Sequence, residues 1–114
     1  MILYGAAYYP EHREPGKWDY DLDTMAGMGV NALRVGEFAW KRFEPAEGDY
    51  DFGWMDAFGE KAGRRNIGLV LCPPLRTPPA WLVERDPSVL IEDAQGRRLA
   101  FGSRYTFCIN HPLL

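Results

Sequence analysis

Apolar positions along the chain alternate between two rhythms. Residues 2–7 form a short apolar run that ends in Tyr8-Tyr9-Pro10 and predicts a strand leaving a core. Over residues 15–28 the spacing becomes helical: Trp18, Leu22, Met25 and Met28 (or Gly29) share one face, while Asp19, Asp21 and Asp23 point elsewhere. Pro15 suits the first turn, where a missing N–H costs nothing, and Gly27 and Gly29 end the helix. Residues 31–35 predict a second strand closed by Gly36. A long loop over 37–51 follows, carrying Phe38, Trp40, Phe43, Pro45 and Gly48. A second helix is predicted over 52–65, with Asp51 as N-cap and Trp54, Met55, Phe58 and Ala62 facing inward. Residues 67–71 are apolar throughout, as in a parallel strand buried on both faces. A proline-rich loop over 72–79 precedes a short helix at 80–84. Residues 89–101 predict a hairpin turning at Asp93-Ala94-Gln95-Gly96, and Pro112 reads as the start of another helix.

The predicted strands begin near residues 2, 32 and 67, which are 30 and 35 residues apart. These intervals match the βαβ unit of roughly 30 residues. Doubly wound sheets and eight-stranded barrels both begin this way. The first strand-to-helix turn has no glycine-rich phosphate fingerprint, only Tyr8-Tyr9-Pro10-Glu11-His12. The long aromatic loops all follow strands, and the returns from helix to strand are short, which favours the barrel. A (β/α)8 barrel needs roughly 200 residues or more. The expectation is therefore an α/β chain whose residues 1–114 form the N-terminal three βα units of an incomplete (β/α)8 TIM barrel, cut before strand 4.

Composition narrows the function. Hydrophobic residues make up 46% of the chain, which is globular, and the net charge of -3 provides no basic patch for nucleic acid or an anionic membrane. No apolar run approaches the ~20 residues of a membrane span, and no secretory signal precedes the first strand. Two cysteines make no disulfide framework and suit a cytoplasmic protein. Aromatics at 14%, with proline- and glycine-rich loops, fit a carbohydrate or other small-molecule site as well as ordinary core.

Several residues could carry chemistry. Glu11 and Glu37 lie just beyond strand ends, where a glycosidase places its two carboxylates; alternatively each is held by an Arg, a Tyr or a backbone N–H and shapes its loop. Arg34, inside a strand and facing a barrel interior, needs a partner, and Glu37 or a later carboxylate is the expected one; the alternative is direct substrate contact. Arg104 offers several donors to sugar hydroxyls or a carboxylate, or is a solvated loop residue. Cys72, His12, Cys108 and His111 lack metal-ligand spacing, and no nucleophile-elbow pattern surrounds Ser103. Trp40 and Trp81 either stack on sugar rings or pack their loops.

Four stretches together resemble one family. They are Tyr8-Tyr9-Pro10-Glu11-His12, Arg34-Val35-Gly36-Glu37-Phe38-Ala39-Trp40 with Phe43-Glu44-Pro45 and Gly48-Asp49-Tyr50-Asp51-Phe52, Pro78-Pro79-Ala80-Trp81-Leu82, and Phe101-Gly102-Ser103-Arg104 with Cys108 beyond it. In this order they resemble the N-terminal part of glycoside hydrolase family 42 β-galactosidases. The resemblance implies retaining hydrolysis of terminal β-galactosides by a homo-oligomer, trimeric in the family. It places the acid/base Glu after the fourth strand and the nucleophile near the seventh, so neither Glu11 nor Glu37 is the catalytic pair and no catalytic residue is expected in this chain. It assigns Arg104 to galactose binding and makes Cys108 the first of four zinc-ligand cysteines found in some members, a structural zinc with no part in the chemistry. Three positions depart from the family pattern: Arg13 where Trp is common, Leu75-Arg76 where small residues are common, and Tyr105 where a second arginine is common. The alternatives are a piece of another retaining barrel glycosidase, of β-mannanase or β-glucosidase type, or a small carbohydrate-binding domain using Trp40, Trp81 and Arg104.

Overall fold

The computed structural model describes every residue except Ser103 and Tyr105, so the flanks of Arg104 in the Gly-Ser-Arg-Tyr stretch lie outside the described residues. The chain divides into two compact units, Met1–Glu37 with Asp51–Pro73, and Phe38–Tyr50 with Pro74–Leu114.

The first unit is a parallel three-stranded sheet in the order β1 (Gly5–Ala7), β2 (Ala32–Val35), β3 (Gly68–Leu71). Helix α1 (Trp18–Gly27) links β1 to β2. Between β2 and β3 the chain forms the short helix α2 (Trp40–Phe43), which belongs to the second unit, and then α3 (Gly53–Gly63). Alternation in β2 puts Leu33 and Val35 on a buried face, while Arg34 stands on the other. The buried face belongs to a core of Trp18, Leu22, Trp54, Met55, Phe58, Ala62 and Ile67. Phe58 is its centre, edge-on to Trp18 at 5.4 Å and stacked on Tyr8 at 5.5 Å.

Both helices close the same way. The Gly29 N–H bonds the Ala26 carbonyl and the Val30 N–H bonds that of Met25, a Schellman closure with Gly29 at φ 82°. In α3 the turn is made by Asn66 at φ 57°, with the Ile67 N–H reaching the Ala62 carbonyl. Each left-handed residue delivers the chain into the next strand within three residues.

The first strand is shorter than its apolar run. Regular pairing starts at Gly5, because over residues 2–4 the Asn31 side chain takes over, accepting from the Tyr4 N–H at 2.8 Å and donating to the Ile2 carbonyl at 2.9 Å. Gly5 has no room for a side chain: a Cβ there would lie 1.7 Å from the Ala32 carbonyl oxygen. Pro15 opens a 3-10 turn that runs into α1, Met28 is exposed and not on the buried face, and Asp51 accepts from the Gly53 N–H at 3.0 Å, one residue earlier than a regular N-cap. The expectation that β3 is buried on both faces does not hold: Val70 is exposed on the face it shares with Arg34, which no helix covers, and Leu71, paired with Val35 on the other face, is exposed at the end of the last strand.

The polar side of α1 has a structural use. Asp19 pairs with Lys61 and Arg65, and Asp23 with Arg65, tying α1 to the end of α3. Asp21 takes a bidentate bond from Arg13 at 2.7 and 2.8 Å and accepts the Tyr8 hydroxyl at 2.6 Å.

The second unit packs α2 and α4 (Ala80–Arg85) with a 3-10 turn at Pro87–Val89 around Leu82, Val89 and Leu90. The predicted hairpin is a turn with little strand. Asp93 accepts from the Gln95 and Arg97 N–H groups, Glu92 bridges Arg98, and Leu99 bonds Ile91. The segment at 89–91 also pairs with Thr106 to Cys108 from farther along the chain, a partnership that no turn signal announces. Pro112 lies in a turn, not a helix. Among the described residues no helix is long and apolar enough to cross a membrane.

Candidate functional site

In the first unit, polar groups gather just past the carboxyl ends of β1 and β2. Tyr8 leaves β1 bonded to the Arg34 carbonyl at 2.9 Å, and a 3-10 turn at Pro10–His12 follows, held by the Trp18 indole N–H on the Pro10 carbonyl at 3.1 Å. This turn buries both carboxylate oxygens of Glu11 with no hydrogen-bond partner among the described residues. Burial accordingly pushes the Glu11 carboxyl above its ordinary range. Glu37 has a different environment. It is buried, and Arg34, three residues before it, reaches it at 2.9 Å; Arg34 itself is exposed, so the pair satisfies the buried Glu37 and not a buried arginine. One carboxylate is thus partnered by a guanidinium and the other sits in a desolvated turn.

Arg13 is the residue that fixes Asp21. Its bidentate guanidinium is the first cause holding the Asp21 carboxyl below its ordinary range, with the Tyr8 hydroxyl second. Burial, then the bond to Asp21, pushes the Tyr8 phenol up.

In the second unit, Glu44 organises the loops. Its Oε2 accepts the Trp40 indole N–H at 2.8 Å, its Oε1 accepts the Gly48 N–H at 2.9 Å, and its backbone carbonyl accepts the Trp81 indole N–H at 2.9 Å. Both tryptophans therefore pack loops and spend their only polar hydrogen doing so. They still line a groove of about 450 Å³ with Tyr50, Leu82 and the ion pair of Arg85 with Glu47. Glu44 is the residue that sequence reasoning passed over; it appeared there only as part of a Phe-Glu-Pro stretch.

Arg104 is exposed, and its guanidinium carbon lies 4.7 Å from the centroid of the Phe38 ring. Among the described residues it makes no hydrogen bond and no ion pair, so its donors are open to a ligand. Cys108 is half-buried and free, facing a hollow of about 400 Å³ lined by Leu75, Ile91, Phe107 and Ile109. One thiol in an apolar hollow falls three ligands short of a tetrahedral zinc site, and no group of three metal-binding side chains occurs among the described residues.

His111 meets Ser88, with Nε2 at 3.0 Å from Oγ and Asp86 at 3.7 Å from the same nitrogen. The three residue types suggest a triad, but the wiring is wrong. Nδ1 accepts the Leu113 N–H at 3.3 Å, which leaves the proton on Nε2. Nε2 therefore donates towards Ser88 and Asp86 and cannot act as a base for the serine.

A parallel βαβαβ sheet with charged and aromatic loops at its carboxyl ends is the opening of a (β/α)8 barrel, the fold class on which glycosidases place two carboxylates. The family model described as beta-galactosidase, glycoside hydrolase family 42, matches residues 7–114, and the chain belongs to that family. It is 42% identical over 108 residues to beta-galactosidase BgaH of Haloferax lucentense, covering 95% of this chain and 16% of that protein. It is 41% identical over 110 residues to beta-galactosidase BgaA of a Thermus species, covering 96% and 17%. The structure of the Halorubrum lacusprofundi beta-galactosidase superposes with a TM-score of 0.89 at 39% identity, over 96% of this chain and 16% of that one. That of the Rahnella enzyme gives 0.92 at 32% identity, over 98% and 17%. The chain thus spans about one sixth of the length of these relatives, and its sheet is the first three βα units of their barrel.

Proposed function

We propose that this chain forms one side of the catalytic barrel of a retaining β-galactosidase and contributes Arg104 to the galactose subsite. The observation that carries the reading is the family match across residues 7–114. The local chemistry agrees with it, since an exposed guanidinium whose donors make no hydrogen bond among the described residues suits a ring of hydroxyls. In this reading a retaining mechanism needs two carboxylates about 5 Å apart, one as acid/base and one as nucleophile. Glu11 and Glu37 are not that pair in this reading, because the family pattern puts the acid/base after the fourth strand and the nucleophile near the seventh. The pair is supplied by later strands of the full-length polypeptide. Cys108 would contribute one thiolate to a structural zinc completed by cysteines outside these residues, and the enzyme would work as a cytoplasmic homo-oligomer.

The test is hydrolysis of chromogenic β-galactoside, β-glucoside and β-mannoside by the full-length polypeptide. Preference for the galactoside is expected. Preference for the mannoside or glucoside transfers the chain to another barrel glycosidase activity. Residues 1–114 alone are expected to release no chromophore above background, and turnover by them would overturn the placement of the catalytic carboxylates.

A further inference from the structure

We propose that Phe38 is a positioning residue for Arg104, holding the guanidinium by its π face so that the N–H edges stay free for sugar hydroxyls. This inference rests on the reading of Arg104 as a galactose contact.

An exposed arginine has a long, mobile side chain, and aiming it costs rotamer entropy. The usual device is a carboxylate partner, but a carboxylate occupies the same N–H edges that would bind a hydroxyl. An aromatic face avoids the conflict, because it attracts the cation from above the ring and takes no in-plane hydrogen. That is the arrangement here: the guanidinium carbon is 4.7 Å from the Phe38 centroid, inside the ~6 Å range of the interaction. Among the described residues no acidic group competes for Arg104.

The platform itself is anchored. Phe38 is half-buried, and the next residue, Ala39, is fully buried. The Ala39 carbonyl accepts from both the Arg42 and Phe43 N–H groups at 2.9 Å, so the backbone beside the ring is fixed by the start of α2. The ring thus sits beside a hydrogen-bonded backbone and sets where the arginine head rests.

The experiment uses the full-length polypeptide and measures the inhibition constant of galactose, kcat and KM on a chromogenic β-galactoside, and the melting temperature. Phe38→Leu keeps apolar bulk and removes the π face; it is expected to raise the galactose inhibition constant roughly two- to fivefold with an unchanged melting temperature. Phe38→Tyr keeps the face and is expected to behave as wild type. In an Arg104→Ala background, Phe38→Leu is expected to add nothing. If Arg104→Ala weakens galactose but Phe38→Leu does not, or if Phe38→Leu weakens it equally in both backgrounds, the positioning role is wrong and the Arg104 reading stands. If Arg104→Ala itself leaves galactose binding unchanged, the reading of Arg104 falls and this inference with it.

Discussion

Glu44 shows what one buried carboxylate can organise. It is 7% exposed, yet it is tolerated because both of its oxygens accept a hydrogen bond, from Trp40 and from Gly48. Removing the side chain strands two donors, each costing about 1–3 kcal/mol. Glu44→Ala is accordingly expected to lower stability by about 3 kcal/mol, read as a shift of the denaturant midpoint, and to alter the emission of Trp40. Glu44→Gln keeps one acceptor and should cost about 1 kcal/mol. Equal losses for the two variants would mean that the bonds to Trp40 and Gly48 do not hold the loop. Glu11 is the opposite case, a carboxylate whose oxygens are buried without such donors among the described residues, so its charged form opposes folding and Glu11→Gln should raise the melting temperature at pH 7. The folded carboxyl titrates above its unfolded value of 4.5, so that gain should fade as the pH drops towards that value.

Elements in this chain are closed by chemistry that is local and therefore readable. The apolar spacing of α1 and α3 and the left-handed exit at Gly29 follow from residues within a few positions of each other. Gly29→Ala forces a side chain into φ 82° and is expected to cost about 1–2 kcal/mol, measured by denaturation. Phe58→Ala removes the ring shared by Tyr8 and Trp18 and is expected to cost about 3–5 kcal/mol. Should Gly29→Ala prove the more damaging of the two, the core described around Phe58 is misplaced. The hairpin at 89–101 was legible only as a turn. Asp93 caps it locally, but the segment before the turn finds a second partner at 106–108, and no periodicity encodes a partner beyond the turn.

At the scale of the whole molecule, acid sensitivity is distributed. Asp19 is held below its ordinary range first by Lys61, Asp21 by Arg13, Asp23 by Arg65, and Asp86 and Asp93 by nearby donors. A carboxyl with a lowered folded value stabilises the fold above its unfolded value of 3.8 and loses that contribution as the pH falls through the folded one. The destabilisation caused by Asp21→Asn at pH 7 is therefore expected to shrink below about pH 4. A difference that stays constant from pH 7 to pH 3 would remove Asp21 from the account. Each of the ion pairs has at least one exposed or partly exposed member, so added salt should weaken them as well.

Much of this was decided by the order of residues alone. Three strand-and-helix alternations, the inward faces built on Leu22 and Phe58, the exit at Gly29 and the closeness of Arg34 to Glu37 all depend on neighbours within a few residues, and repeat spacing records such neighbours directly. The chain's three-dimensional path decided the rest. It brought Lys61 to Asp19, Trp81 to Glu44 and Phe38 under Arg104, and it left one face of β3 uncovered. Partners 37 or 42 positions apart share no period, so only the folded backbone can bring them within reach of a hydrogen bond or a ring face.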